Sequence, residues 1–434
     1  MHLTRALPLL AASLAIALAA PAPGATLVSE TTWGGPAGEV AEGSAIAADG
    51  STYLAGFTNS FNPSSENEIF LVKVASDGSL TWQRTWEGPI QFASDQANDV
   101  AVAPDGSVYV TGSTQGIRGD VVLLKFSPDG SLLWQQRWDS GSTESGEAVA
   151  VGADGSVYVA GGTTAGDGNI LVLKFSSDGS VVWQKTWGPA GGFNGVAVGP
   201  DGNVYVVGNA ARADSSGSDV VLLKLDPAGA LLMQKSYSAS EIADARGGVA
   251  VATDGSIHVA GAIQEVDRDV VVDAMLVKFA PDGSLVWDRS WGGRSGDVSG
   301  AVAARPDGTV LWAGDTNSFG AGSDDAFLLQ MSLDGKAMDS STWGGTGIDH
   351  ATGVEVAADG TNLLGGTTET SVHVFDRGPR KTSRLRGIVG TPDNALQDAA
   401  GAAVDAGGTA EASTGTSPGA GGFDAALVRI GPDE

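Results

Sequence analysis

Residues 98–114 read NDVAVAPDGSVYVTGST and residues 120–138 read DVVLLKFSPDGSLLWQQRW. Each stretch is a pair of apolar, β-branched runs joined through Asp-Gly, at Asp105-Gly106 and Asp129-Gly130. Asp-Gly between such runs signals a hairpin, because Gly takes the positive φ that the turn or its bulge requires. Two hairpins in succession give a unit of four strands.

The unit recurs along the chain. First-hairpin turns stand at Asp49-Gly50, Asp105-Gly106, Asp154-Gly155, Asp201-Gly202, Asp254-Gly255, Asp307-Gly308, Asp359-Gly360 and, in degenerate form, Gly407-Gly408. Second-hairpin turns stand at Asp77-Gly78, Asp129-Gly130, Asp178-Gly179, Ala228-Gly229, Asp282-Gly283, Asp334-Gly335 and loosely at Arg377-Gly378. The units span about 44–86, 97–138, 146–187, 194–237, 247–291, 299–343, 352–390 and 400–430. A four-stranded unit with a period of about fifty residues predicts an all-β fold, a single β-propeller of antiparallel blades.

The last copy supplies three strands, AGAAVDAGG, TAEASTG and FDAALVRI, while TLVSETTWGG at 26–35 matches fourth strands such as SLVWDRSWGG at 284–293. The expectation is therefore an eight-bladed ring over 26–434, closed by an N-terminal strand that completes the C-terminal blade, with seven blades as the alternative. Closure of this kind hides strand edges that an open ring would expose.

Residues 1–25 carry His2 and Arg5, an apolar run from Ala6 to Ala20 and small residues through Ala25. That order reads as a secretory signal peptide, too short for a membrane span, and implies a secreted or periplasmic protein. The chain has no cysteine, so it uses no disulfide, and its net charge of -27 opposes nucleic acid and anionic lipid. Its 64 glycines are spaced with the turns rather than gathered in linkers.

Tryptophans recur four apart on the fourth strand, at Trp82 and Trp86, Trp134 and Trp138, Trp183 and Trp187, Trp287 and Trp291. This spacing puts both rings on one strand face, where packing between blades accounts for their repetition better than sugar stacking does. An acid or amide opens every third strand, at Glu68, Asp120, Asn169, Asp219, Asp273, Asp325, Glu369 and Asp424. Repetition favours a loop-closing role over a ring of ligand contacts. No segment has the spacing of a calcium loop; Asp167, Asn169, Asp273 and Asp325 are subsidiary calcium candidates. Of the histidines, His258 replaces a strand-two Tyr, and His350 and His373 stand alone, so no transition-metal set emerges. No residue pair is marked as acid and base, and no phosphate-binding loop precedes a helix.

Loops after strands two and four share one rim of a propeller and vary strongly here, as in SFNPSSENE at 60–68 and IQEVDRDVVVD at 263–273. Variable loops on a rigid scaffold are where binding resides. Phe61, Phe92, Phe193, Phe319, Asp267, Asp269 and Asp324 are the rim candidates. RGPRKTSRLR at 377–386 concentrates Arg377, Arg380, Lys381, Arg384 and Arg386 on an otherwise acidic chain, a patch suited to an acidic partner or to self-association.

The phrases PDGSVYVTGST and LLKFSPDGSLLWQQRW resemble the SBBP β-propeller repeats of bacterial secreted and surface proteins. That resemblance implies a binding or structural role outside the cytoplasm and carries no catalytic residues. The run into DGSLLWQ is also similar to the repeats of eight-bladed PQQ-dependent dehydrogenases and related assembly scaffolds. The T-G-K turn and adjacent cysteines of the dehydrogenases are absent, so PQQ is not expected, and no other cofactor is implied. The functional expectation is a non-enzymatic propeller binding a glycan, protein or cell-surface component. Alternatives are a polysaccharide hydrolase or lyase using rim carboxylates, and a structural module of a surface assembly.

Overall fold

The computed structural model describes residues 5–6, 27–61, 66–89, 93–115, 118–165, 169–188, 192–212, 217–238, 242–264, 271–369, 372–377, 384–386, 411–414 and 423–431. They form an all-β propeller of four-stranded antiparallel blades. Blade one is Glu39–Ile46, Thr52–Thr58, Glu68–Val74 and Leu80–Trp86, and blade two is Ser94–Val102, Val108–Gln115, Gly119–Phe126 and Leu132–Trp138. Blade three is Glu144–Val151, Val157–Thr163, Asn169–Phe175 and Val181–Trp187. Blade four is Gly192–Val198, Val204–Ala211, Ser218–Leu225 and Leu231–Tyr237. Blade five has a broken first strand, Ile242–Asp244 and Val249–Val251, followed by Ile257–Gln264, Val272–Phe279 and Leu285–Gly292. Blade six is Asp297–Ala304, Val310–Thr316, Asp325–Met331 and Ala337–Gly344.

Blade seven is built from both ends of the chain. Asp349–Val356 pairs with Asn362–Thr368, Asn362–Thr368 with Asp424–Ile430, and Asp424–Ile430 with Leu27–Trp33. The N-terminal strand thus closes the ring as its sequence predicts. The ring has seven blades, however, because copies seven and eight merge into one. The first strand of blade seven packs directly against that of blade one, leaving no place for an eighth.

Burial explains the merger. Third strands are buried on both faces, so they need apolar residues at consecutive positions. DAALVRI meets this demand: Ala425 and Leu427 enter the core shared with blade one, and Ala426, Val428 and Ile430 the core shared with blade six. The copy-seven segment Val372–Arg377 ends in Asp376 and Arg377. It pairs instead with the outer strand of blade six, and Glu411–Thr414 pairs with it in turn. Arg384–Arg386 lies along the outer strand of blade five. The described parts of the basic segment, Arg377 and Arg384–Arg386, therefore lie along the outer edges of blades six and five. Arg5–Ala6 pairs with the outer strand of blade one.

The Asp-Gly turns are as expected, with Gly50, Gly106, Gly155 and their counterparts at φ between 74 and 89°. The turn aspartate accepts the amide two residues on, at 2.9 Å from Asp49 to Ser51. The Trp pairs tie blade to blade. Trp82 donates to the carbonyl of Pro128 at 3.2 Å, Trp134 to Ser177 at 3.2 Å, Trp183 to Pro227 at 3.1 Å and Trp287 to Leu333 at 3.0 Å. The second Trp reaches a glutamine of the next outer strand, Trp86 to Gln135 at 2.9 Å and Trp138 to Gln184 at 3.1 Å. Lys73, Lys125, Lys174 and Lys224 lie over Tyr53, Tyr109, Tyr158 and Tyr205 at 5.1 to 5.3 Å. These repeated aromatics and lysines are packing residues.

Two outcomes are expected from urea unfolding. Leu427→Ala, at the closing blade, lowers stability by about 3 kcal/mol, the usual cost of a buried Leu→Ala cavity. Trp287→Ala, whose ring is buried, costs about 3–5 kcal/mol, and the same change at half-exposed Trp134 costs less. Equal losses at the two tryptophans would show that burial does not set their contributions.

Candidate functional site in the central channel

The first strands of the seven blades surround a channel of about 750 Å³. Six of those strands carry a β-bulge at the same place, between Ala41 and Gly43, Ala97 and Asp99, Gly146 and Ala148, Phe193 and Gly195, Ser299 and Ala301, and Ala351 and Gly353. A bulge leaves one residue out of the ladder and re-aims its side chain. The extra residues are Glu42, Asn98, Glu147, Asn194, Gly300 and Thr352, and all six line the channel. In blade five the corresponding place is the break between its two short first strands, and Arg246 lines the channel there.

A glycine in the second strand makes the bulge sterically allowed. A Cβ on Gly56 would lie 1.8 Å from the Val40 carbonyl oxygen, and one on Gly112 would lie 1.9 Å from that of Gln96. Gly161, Gly314 and Gly366 meet the same obstacle. The recurrent Gly of TGST, AGGT and AGDT is thus the sequence mark of a channel-lining residue one strand away.

Carboxylates concentrate in this channel. Glu42, Asp99, Glu147, Asp315 and Glu355 line it, whereas its Arg246 is already bound to Asp244 at 2.7 Å. Asp244 also accepts from Asn209 at 2.7 Å and Asn194 at 3.3 Å. Asp99 joins two blades, accepting Val100 N–H at 2.7 Å and Val149 N–H of the next blade at 2.8 Å. At the loop end His350 Nδ1 stands 2.9 Å from Asp315, whose other oxygen accepts Ala351 N–H at 2.9 Å.

Enclosure changes the protonation of these groups. Desolvation pushes Asp99 up to about 7, even though its two backbone N–H bonds favour the charged form. Desolvation first, and then repulsion by Asp99, pushes Glu355 up to about 8. Glu42 rises to about 6, through desolvation and then Glu147, with His350 opposing. His350 is raised, chiefly by its hydrogen bond to Asp315. Asp324 is raised by burial, with His350 lowering it and Asp315 adding to the rise.

Of the rim candidates, Asp324 is the one brought into this network. Phe61 packs on Trp33 with ring centroids 5.7 Å apart, and buried Phe319 packs on Trp291 at 5.2 Å. Phe193 contributes a strand backbone paired with Gly208. Phe92, Asp167, Asp267, Asp269, Arg380 and Lys381 lie outside the described residues. Arg377, Arg384 and Arg386 have their backbones on the outer edges of blades six and five.

Of the calcium candidates, Asp273 and Asp325 fall at blade junctions. Asn169 donates to the Ala165 carbonyl at 2.7 Å. Asp273 faces Asp297 of the next blade across Gly292, and Asp325 faces Asp349 across Gly344. At the junction of blades two and three, Asp120, Asp139 and Glu144 bring carboxylate oxygens within 4.8 Å of one another. Their donor set suits a hard cation. Arg137 already pairs with Asp120 there and lies 3.8 Å from Asp139.

The channel acids escape attention in the sequence because the rim loops vary more visibly. One signal was present. First strands read Val-Ala-Val at 100–102, 149–151, 196–198 and 249–251, but Val354-Glu355-Val356 in blade seven.

No family model matches the chain. Over 176 residues it is 28% identical to the regulatory protein FlaEY of Caulobacter vibrioides, a stretch covering 35% of this chain and 18% of that protein. The chain thus spans under a fifth of that relative's length. Among solved structures it is similar to the periplasmic gluconolactonase PpgL of Pseudomonas aeruginosa, at 17% identity and TM-score 0.47, covering 69% of this chain and 84% of that one. It is also similar to the β-propeller domain of the Trilobed protease from Pyrococcus furiosus, at 10% identity and TM-score 0.43, covering 81% and 94%. A third likeness is to Sqt1 of Chaetomium thermophilum, at 13% identity and TM-score 0.47, covering 92% and 97%. None of these likenesses transfers an activity.

Glu355 sets a pH dependence with a definite sign. Between the ordinary glutamate range and about pH 8 the native protein keeps a proton that the unfolded chain has lost. Native stability therefore falls as pH rises through this window. Glu355→Gln is expected to flatten that fall and to stabilise the protein at pH 9 by roughly 2 kcal/mol, allowing for channel water. Unfolding midpoints at pH 5 and 9 check this; an unchanged pH slope would refute it.

Proposed function

We propose that this protein is an exported, non-enzymatic binding propeller that takes its ligand, a glycan, protein or cell-surface component, at the loop-side mouth of the channel. The carrying observation is the convergence at that mouth of Glu42, Glu147, Asp315, Asp324 and His350 in one electrostatic network. Polar groups converging in a cavity of this size are the usual form of a ligand site. The signal-like residues 1–25 and the resemblance to SBBP repeats support residence outside the cytoplasm.

The test is a binding panel of glycans, envelope components and calcium, with hydrolysis products assayed in the same wells. Binding without product release is expected, weakened about tenfold in Asp315→Asn, the loss of one charge-assisted contact. Product release that disappears in Asp315→Asn would replace this reading with the polysaccharide hydrolase or lyase.

Calcium is a second reading, resting on the convergent oxygens of Asp120, Asp139 and Glu144. It predicts a calcium-dependent rise in Tm that Asp139→Asn removes. No rise in the wild type at millimolar calcium would dismiss it. The basic segment 377–386 supports a third, self-association through its concentrated positive charge, for which light scattering should show oligomers that dissociate at high salt.

A further inference from the structure

The channel carboxylates stand at successive depths. Glu42 and Glu147 occupy the bulge ring, with Asp315 towards the loops. Asp99 follows the bulged Asn98 by one residue, and Glu355 follows the bulged Thr352 by three. At about 3.3 Å per strand residue, negative charge extends over roughly 10 Å of the axis. Ala45, Ala101, Val149 and Val196 supply aliphatic wall around it. In the same wall Ser44 is buried at 8% exposure, and its hydroxyl, close over Gly353 of blade seven, has no hydrogen-bond partner.

This pattern discriminates between kinds of cation. A calcium ion needs six to eight oxygens at about 2.3–2.6 Å around one point. Among the described residues, the acids whose oxygens converge as a group of three are Asp120, Asp139 and Glu144, at a blade junction outside the channel. The channel acids are distributed along a tube and around the arc formed by blades six, seven, one, two and three. Arg246 and its partner Asp244 mark the opposite arc. Separated carboxylates on an aliphatic wall complement separated ammonium groups on an aliphatic chain.

We propose that the channel binds an extended aliphatic polyammonium compound, one ammonium held at the bulge ring by Glu42 and Glu147, another deeper, between Asp99 and Glu355, and the methylenes between them against the alanine and valine wall. This rests on the channel being the ligand site.

Calorimetry with spermidine, putrescine and n-butylamine, at pH 5.5 and 8.5 and constant ionic strength, tests the assignment. Each added ammonium should tighten binding about tenfold, and spermidine should bind about tenfold more tightly at pH 8.5 than at 5.5. Glu42→Gln and Glu147→Gln should each weaken spermidine about tenfold, with unchanged circular dichroism. Glu355→Gln should reduce the gain with pH. Butylamine binding as tightly as spermidine, or calcium displacing spermidine stoichiometrically, would overturn the proposal. Should spermidine give no heat while a panel ligand still depends on Glu42 and Glu147, the polyammonium assignment falls and the channel remains the site. Should no ligand respond to those two variants, both readings fall.

Discussion

Everything in this structure depends on the contact between neighbouring blades. A single four-stranded sheet buries its third strand on both faces only when another blade covers each face, so no blade is complete alone. The Trp donors at Trp82, Trp134, Trp183 and Trp287 make that contact directional, since each indole N–H meets a carbonyl at the turn of the next blade. At the seam, Leu27–Trp33 and Asp424–Ile430 supply the same packing from opposite ends of the chain. Opening the seam would expose the cores on both sides of blade seven.

The same geometry creates the channel. First strands converge on the axis, and their backbones approach one another most closely there. A bulge in six of them turns one residue per strand inward, and Gly56, Gly112, Gly161, Gly314 and Gly366 of the adjoining strands leave room for it. Most inner positions are Ala, Val or Gly; the acids are departures from that rule. Enclosed carboxylates lose hydration, and Glu355 is in addition repelled by Asp99, which is why Glu355 and Asp99 hold protons near neutral pH. Such groups cost stability in the free protein, and a cationic ligand would relieve that cost.

Much of the architecture was legible in the chain. Asp-Gly turns, four-residue Trp spacing and the match of TLVSETTWGG to other fourth strands disclosed blades, packing faces and closure. Blade number was harder to read, because FDAALVRI is a sound third strand whichever second hairpin it follows. The site was less legible still. Asp324 reads as a rim residue, while Glu42, Asp99, Glu147 and Glu355 lie in strands whose pattern looks wholly structural.

By itself the sequence determined the four-stranded unit, its repetition and the strand that closes the ring, because turn chemistry and residue alternation act over a few neighbouring positions. Only the tertiary structure decided that seven blades close the circle and that residues 372–377 and 384–386 lie along blades six and five. It alone brought five acids from separate blades into one channel. The reason is range: hairpins are fixed by local geometry, whereas ring closure and the repulsion between Asp99 and Glu355 arise between residues far apart in the chain.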